Sequence, residues 1–251
     1  MKKMKLAVVF AAFASVLGFS SCLDSGESGP STQSWLVTVT GDRYTGFKFY
    51  ADNGGILIPS SASVSSYGEA LEKVKRMVLY YSFLDETLPA NPTETTTYNI
   101  TFKGGEAIDT KPVIDLYDNE EASDSLIKNK DEIISLDIAS AYKGYITVAT
   151  VFNYSGNSKQ LPYMNMAYNS ETDVDEAGNT LNLTLYYDNN AENAYTQVAP
   201  QFYSFALPMD VYDRFAGDSI KLVVKAEGSN VEELKKEIKM AKSGLFPPRG
   251  Y

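Results

Sequence analysis

The chain has 251 residues, of which 44% are hydrophobic and 22% charged, a length for one large or two small domains and a composition that excludes a long disordered chain. It carries 22 basic against 32 acidic residues, a net charge of −10, with one cysteine and no histidine. There is therefore no imidazole base, no Ser–His or Cys–His nucleophile pair and no histidine metal ligand. A single cysteine also excludes an internal disulfide and a multi-thiolate zinc site.

Residues 1–22 read MKKMKLAVVFAAFASVLGFSSC. Lys2, Lys3 and Lys5 precede an apolar stretch from Leu6 to Phe19, shorter than the about 20 residues of a bilayer span but suited to a signal peptide. Ser20 and Ser21 lead into Cys22, the only cysteine. Small residues before a lone cysteine resemble a bacterial lipobox, relaxed here because Phe19 stands where Leu is usual. The expectation is a signal peptide over 1–21 and acylation of Cys22. Cleavage there removes three lysines and leaves 19 basic against 32 acidic residues, a net charge of −13. More than one acyl chain would anchor the mature protein stably without spanning the membrane. Residues 22–33 carry the polar run LDSGESGPSTQ after the cysteine and read as a flexible tether. The expected address is the outer membrane, on its periplasmic side or at the cell surface.

From Trp35 the pattern has period two, the strand signature. Trp35, Val37 and Val39 alternate with Leu36, Thr38 and Thr40. A second strand is expected over 44–51, a turn at Asp52-Asn53-Gly54-Gly55, and a third strand over 56–58. A serine-rich loop over 60–66 precedes a weak helix over 67–75, where Glu69 stands four residues before Lys73. Strands over 77–83 and 96–102 complete the first module, residues 34–102. Five strands with a helix between the third and fourth is the order of an OB-fold barrel.

Residues 103–113, KGGEAIDTKPV, lack periodicity and read as a linker. Strands are then expected around 134–138, 145–154, 163–168, 181–187, 202–207 and 220–226. The segment YITVATVFNY is apolar on both faces, as a central strand would be. Six strands over 114–251 argue for a β-sandwich. A C-terminal helix is expected over about 231–242: Asn230 suits an N-cap with Glu233 three residues on, Val231, Leu234, Ile238 and Ala241 form a stripe, and Gly244 follows. The expected class is mainly β: an OB-like small barrel, then a β-sandwich, with a short C-terminal helix.

The lipobox, the opening WLVTVTGD, the strand KRMVLYYSF and the segments GYITVATVFNY, LNLTLYYDNNAENAY and FYSFALP together resemble the NigD-like lipoproteins of Bacteroidota over nearly the whole chain. The resemblance implies an N-terminal OB-type domain and a C-terminal β-sandwich domain, and it suggests an immunity role tied to bacteriocin clusters. Two features depart from the family pattern. Val74-Lys75-Arg76 stands where a glycine turn is common, and the family's frequent histidine is missing. No function here can rest on that histidine.

Few constellations carry chemistry. Asp173, Asp175 and Glu176 imitate a calcium loop, but Ala177 and Thr184 occupy positions that need oxygen ligands, so a solvated hairpin loop is the better reading and no metal is expected. Asp115, Asp118, Glu120, Glu121 and Asp124 form an acidic segment in which nothing fixes two carboxylates at a glycosidase separation. Arg43, Tyr44, Tyr50, Tyr80 and Tyr81 fall on the strands and first loop of the OB module. There they could line a ligand face for sugar or peptide, or simply fill the core. Asp124-Ser125-Leu126 and Asp218-Ser219-Ile220 resemble a short O-glycosylation acceptor; Ser125, in an expected loop, is the better candidate. Five basic against seven acidic residues over 34–102 give the module no positive groove for nucleic acid. The leading expectation is a non-catalytic, cofactor-free, lipid-anchored envelope protein acting as a binding or interaction module, with an envelope protein or a glycan as partner and an immunity-like role as one form of that binding. The alternative is a carbohydrate-binding accessory lipoprotein at the outer surface.

Overall fold

The computed structural model describes residues 31–84, 93–117, 119–128, 131–155, 162–189, 197–227 and 234–242. The expected signal peptide, Cys22 and most of the expected tether lie outside the described residues. The chain divides into two compact units between Asp109 and Thr110.

The first unit is a five-stranded barrel. Its strands are β1 (Gln33–Asp42), β2 (Gly46–Ala51), β3 (Ile56–Pro59), β4 (Arg76–Phe83) and the start of β5 (Thr97–Pro112). They pair in the order β3-β2-β1-β4-β5, and β3 closes on β5 in parallel, Ile56 opposite Thr97 and Pro59 opposite Ile100. That pairing is the OB-fold arrangement expected from element order. Period-two alternation supplies the barrel interior: Val37, Val39, Phe49, Leu57, Leu79, Tyr81 and Ile100 are all buried. Two short helices, α1 (Ser61–Val64) and α2 (Gly68–Glu72), bridge β3 and β4 and bury Val64 and Leu71 against this core. The serine-rich segment is thus partly helical rather than a loop, and the expected helix over 67–75 is shorter. The Lys73 ammonium pairs with Glu69 at 3.2 Å, the contact their spacing foretold.

The expected linker over 103–113 is instead strand. β5 runs for 16 residues through it, and Met77 pairs with Ala107 and Arg76 with Ile108. Aperiodicity misled here for a physical reason. The ladder with β4 carries a bulge between Tyr80 and Tyr81, where the β5 partner jumps from Gly104 to Phe102, and Gly104 takes φ +135. A bulge inserts one residue and resets the alternation of faces.

The second unit begins with the last residues of β5 and packs two sheets. One contains β7 (Ile133–Tyr142), β8 (Tyr145–Tyr154) and β12 (Gln197–Ala206), with β8 central. The first eight residues of β8 are buried, as its two-faced apolarity requires. The other sheet orders β14 (Lys235–Ala241), β13 (Ser219–Ala226), β11 (Thr180–Asp188), β9 (Tyr163–Tyr168) and β6 (Ile114–Asp115), with β10 (Val174–Asp175) paired to β11. Ile133, Val148 and Phe152 from the first sheet meet Met166, Leu183, Tyr187 and Leu222 from the second in one core. Helix α3 (Glu120–Lys128) follows β6, and α4 (Met209–Arg214) buries Val211 and Tyr212.

The expected C-terminal helix is not formed: residues 235–241 are strand β14, antiparallel to β13. Ile238 fits either period, but Met240 is buried and Ile238 packs on the core, a strand's spacing of two. The edge of β13 offers a row of unpaired backbone groups, and satisfying them outweighs helix propensity.

Candidate functional site

The β1–β2 turn is built by its own side chains. Gly41 takes φ +80, and a Cβ there would meet the Gly46 carbonyl oxygen at 2.0 Å. One carboxylate oxygen of Asp42 accepts the backbone N–H groups of Tyr44 at 2.8 Å and Thr45 at 2.7 Å. Arg43 reaches across to α2. Its Nε and Nη2 donate to the two carboxylate oxygens of Glu72 at 2.9 and 2.8 Å, and its backbone N–H donates to the same group at 3.1 Å. The Arg43 guanidinium and backbone N–H hold the Glu72 carboxyl down to about 2, against an ordinary 4.5. The Arg43 guanidinium lies 5.9 Å from the centre of the Tyr44 ring, and Tyr44 is 88% exposed.

Tyr50 and Tyr80 do not join that turn. Tyr50 lies on β2 opposite Thr38, and Tyr80 lies on β4 opposite Ser34, four residues away along β1. Between them Leu36 and Val78 are buried, so the two rings do not line one open surface. The Tyr80 hydroxyl donates to Glu106 at 2.8 Å, and burial together with that carboxylate pushes its pKa up. Tyr81, also singled out from the sequence, is barrel interior, edge-on to Trp35 with ring centres 5.4 Å apart.

The structure offers a different neighbour for Tyr50. Tyr50 stands opposite Ile56 across the β2–β3 turn. With Phe49 and Leu57 turned inward, Lys48, Tyr50, Ile56 and Ile58 occupy the outward side; Lys48 is exposed and the other three are half-buried. Thr97 and Asn99 border this strip on β5, opposite Ile56 and Ile58. It is the strand 2–3 face on which OB-folds bind ligands. Sequence reading missed Ile56 and Ile58 because the run Ile-Leu-Ile does not reveal which side faces the core. The clue was Leu57, whose alternation with Phe49 across the turn decides it.

The other sequence candidates separate. Ser125 sits within helix α3, not in a loop. The carboxylates of the calcium-like loop are engaged locally: Asp173 accepts the Asn169 N–H at 2.8 Å, Asp175 accepts the Gly178 N–H at 2.9 Å, and Glu176 pairs with Arg214 at 2.9 Å. Asp115 accepts the N–H groups of Tyr117 and Ser170 at 3.0 Å each. Burial alone would raise its carboxyl, but these hydrogen bonds prevail and lower it. Asp118 lies outside the described residues. No group of three carboxylates or other metal-ligating side chains assembles among the described residues, and no helix among them is long and apolar enough to cross a membrane.

No family model matches the sequence, and no curated protein matches it. Solved structures do. A toxin-related protein from Parabacteroides distasonis aligns with TM-score 0.61 at 13% identity, over 85% of this chain and 95% of that one. A protein of unknown function from Bacteroides vulgatus aligns with TM-score 0.54 at 21% identity, over 87% and 97%. A NigD-like immunity protein from Bacteroides caccae aligns with TM-score 0.50 at 16% identity, over 86% of this chain and all of the other. The resemblance read from the strand motifs is thus met at the level of architecture: this chain has the fold of the NigD-like immunity protein, an OB-type barrel followed by a β-sandwich unit.

Proposed function

We propose that this chain is a lipid-anchored protein of the outer membrane, held through Cys22, that binds another envelope protein and performs no catalysis or cofactor chemistry. The observation that carries the reading is the strip of Tyr50, Ile56 and Ile58 on the outward side of the barrel, half-buried apolar side chains where solvent-facing residues would ordinarily be polar. A closed barrel gives that strip a rigid backing, which lowers the ordering cost of association. The fold shared with a NigD-like immunity protein supports an immunity-like role for the contact. The acidic balance of the first unit supports a partner other than nucleic acid.

The test has two parts. A photocrosslinking residue placed at Ile58 in whole cells should capture a discrete envelope protein, and the same residue at the exposed Lys103 should not. A strain lacking the gene should be killed by culture supernatants of a bacteriocin-producing relative, and the full-length chain should restore survival while Ile58→Asp does not. Equal capture at both positions would remove the binding face from the reading. Unchanged sensitivity to every supernatant would remove the immunity role. The exposed Tyr44 ring favours a second reading, carbohydrate binding by ring stacking; a glycan array with Tyr44→Ala as its control addresses it.

A further inference from the structure

The outer face of β13–β14 departs from the acidic character of the chain. The ladder sets Lys221 opposite Lys239 and Lys225 opposite Lys235. With Ile220, Leu222, Val224 and Met240 turned to the core, alternation places all four lysines on the outward side. Directly opposed side chains in an antiparallel pair have Cβ atoms about 4.5–5.5 Å apart, and like charges so placed repel. Glu237, opposite Val223, bonds Lys221 at 2.8 Å. On the described strands β13 and β14, the outward side thus carries four lysines and one glutamate. Lysines on an edge strand guard against strand addition, and β14 ends its sheet, which accounts for Lys235 and Lys239. It does not account for Lys221 and Lys225, because β13 is paired on both sides, to β11 and β14.

We propose that this face docks on an anionic lipid surface bearing phosphate headgroups. Its positive charges are all lysine, point charges on flexible stems that suit a laterally mobile array of phosphates; a fixed bidentate partner would call for arginine. On a chain of net charge −10, such a surface attracts this patch and repels the remainder, so the field itself selects the docking face. From Cys22 to the start of β1 at Gln33 the tether spans at most roughly 40 Å when extended, which would hold the folded units near a bilayer if Cys22 is acylated. The docking itself does not depend on that anchor or on the β2–β3 strip.

The test uses the mature chain, residues 22–251, with Cys22→Ser so that no acyl chain contributes. Co-sedimentation with vesicles of phosphatidylcholine alone is compared with vesicles containing phosphatidylglycerol. The expected result is partition into the anionic vesicles only, weakening as salt rises, and reduced at least tenfold by Lys235→Glu with Lys239→Glu. Lys73→Glu with Lys103→Glu, the same change in net charge on the first unit, should leave it intact. Lys225→Gln with Lys239→Gln gives a gentler variant whose melting curve confirms folding and whose partition should still fall. Equal partition into both vesicle types, or equal loss in both charge-reversed variants, overturns the proposal. So does sedimentation velocity in which the Lys235/Lys239 variant loses self-association and not vesicle binding, since the face would then bind a second copy.

Discussion

Arg76 and Asp52 form a buried ion pair in the barrel unit. Arg76 belongs to a basic run beside the helix, a solvated stretch by composition, yet its side chain is wholly buried. It forms a two-pronged ion pair with Asp52, at the end of β2, and donates to the Thr38 hydroxyl at 2.9 Å. The pairing of β1 with both β2 and β4 assembles the three residues, a long-range register no local pattern announces. Asp52→Ala would leave a buried guanidinium without its carboxylate and should cost about 3–5 kcal/mol, read from urea unfolding. Glu72 makes a pH prediction. Its carboxyl is held at about 2 in the folded state against an ordinary 4.5. A depressed carboxyl contributes stability that is complete above the ordinary value and is lost as pH falls through the folded one. The Arg43–Glu72 contribution should therefore fade between about pH 4.5 and 2, seen as a depressed titration of the Glu72 carboxyl carbon by NMR. Glu72→Gln should remove that acid dependence.

Among the elements, the β1–β2 turn and the strands β5 and β14 carry the sharpest expectations. Gly41→Ala would force a Cβ onto the Gly46 carbonyl at a positive φ, a strain of about 1–3 kcal/mol. The melting temperature should drop, and Tyr44 should lose its fixed position beside Arg43. For β14, Met240→Ala removes a fully buried side chain from the core of the second unit and should cost about 2–5 kcal/mol. Backbone amides across 235–241 should show alternating protection, every second N–H bonded to β13 and slow to exchange, where a helix would protect consecutive amides. For β5, the ladder with β4 pairs the residues on both sides of Lys103, Phe102 and Gly104, and should slow trypsin cleavage there in the native chain. Early cleavage there would show that the segment detaches. The barrel strands β2, β3 and β5 as far as Phe102 were readable because each buries one face and so alternates. β5 beyond Phe102 and β14 were not: a bulge breaks the alternation of the first, and the second has charged residues where an edge strand can tolerate them.

For the whole molecule, Cys22→Ala should move the protein from the membrane to the soluble fraction, measured by fractionation of whole cells; persistence in the membrane pellet would end the anchor reading. The sequence by itself determined the large features: a mainly β chain, an OB-type strand order and a second β unit. Each rests on local periodicity and composition, which depend on neighbours along the chain. Only the tertiary structure decided which faces matter. It separated Tyr80 from the β1–β2 turn, tied Arg43 to Glu72, joined Tyr50 to Ile56 and Ile58, and set Lys221 and Lys225 against Lys239 and Lys235. It also made a strand of a segment whose capping and stripe favour a helix. The physical reason is common to all of these. Which side of a strand meets the core depends on pairing register between distant segments, and a shift of one residue exchanges the two sides.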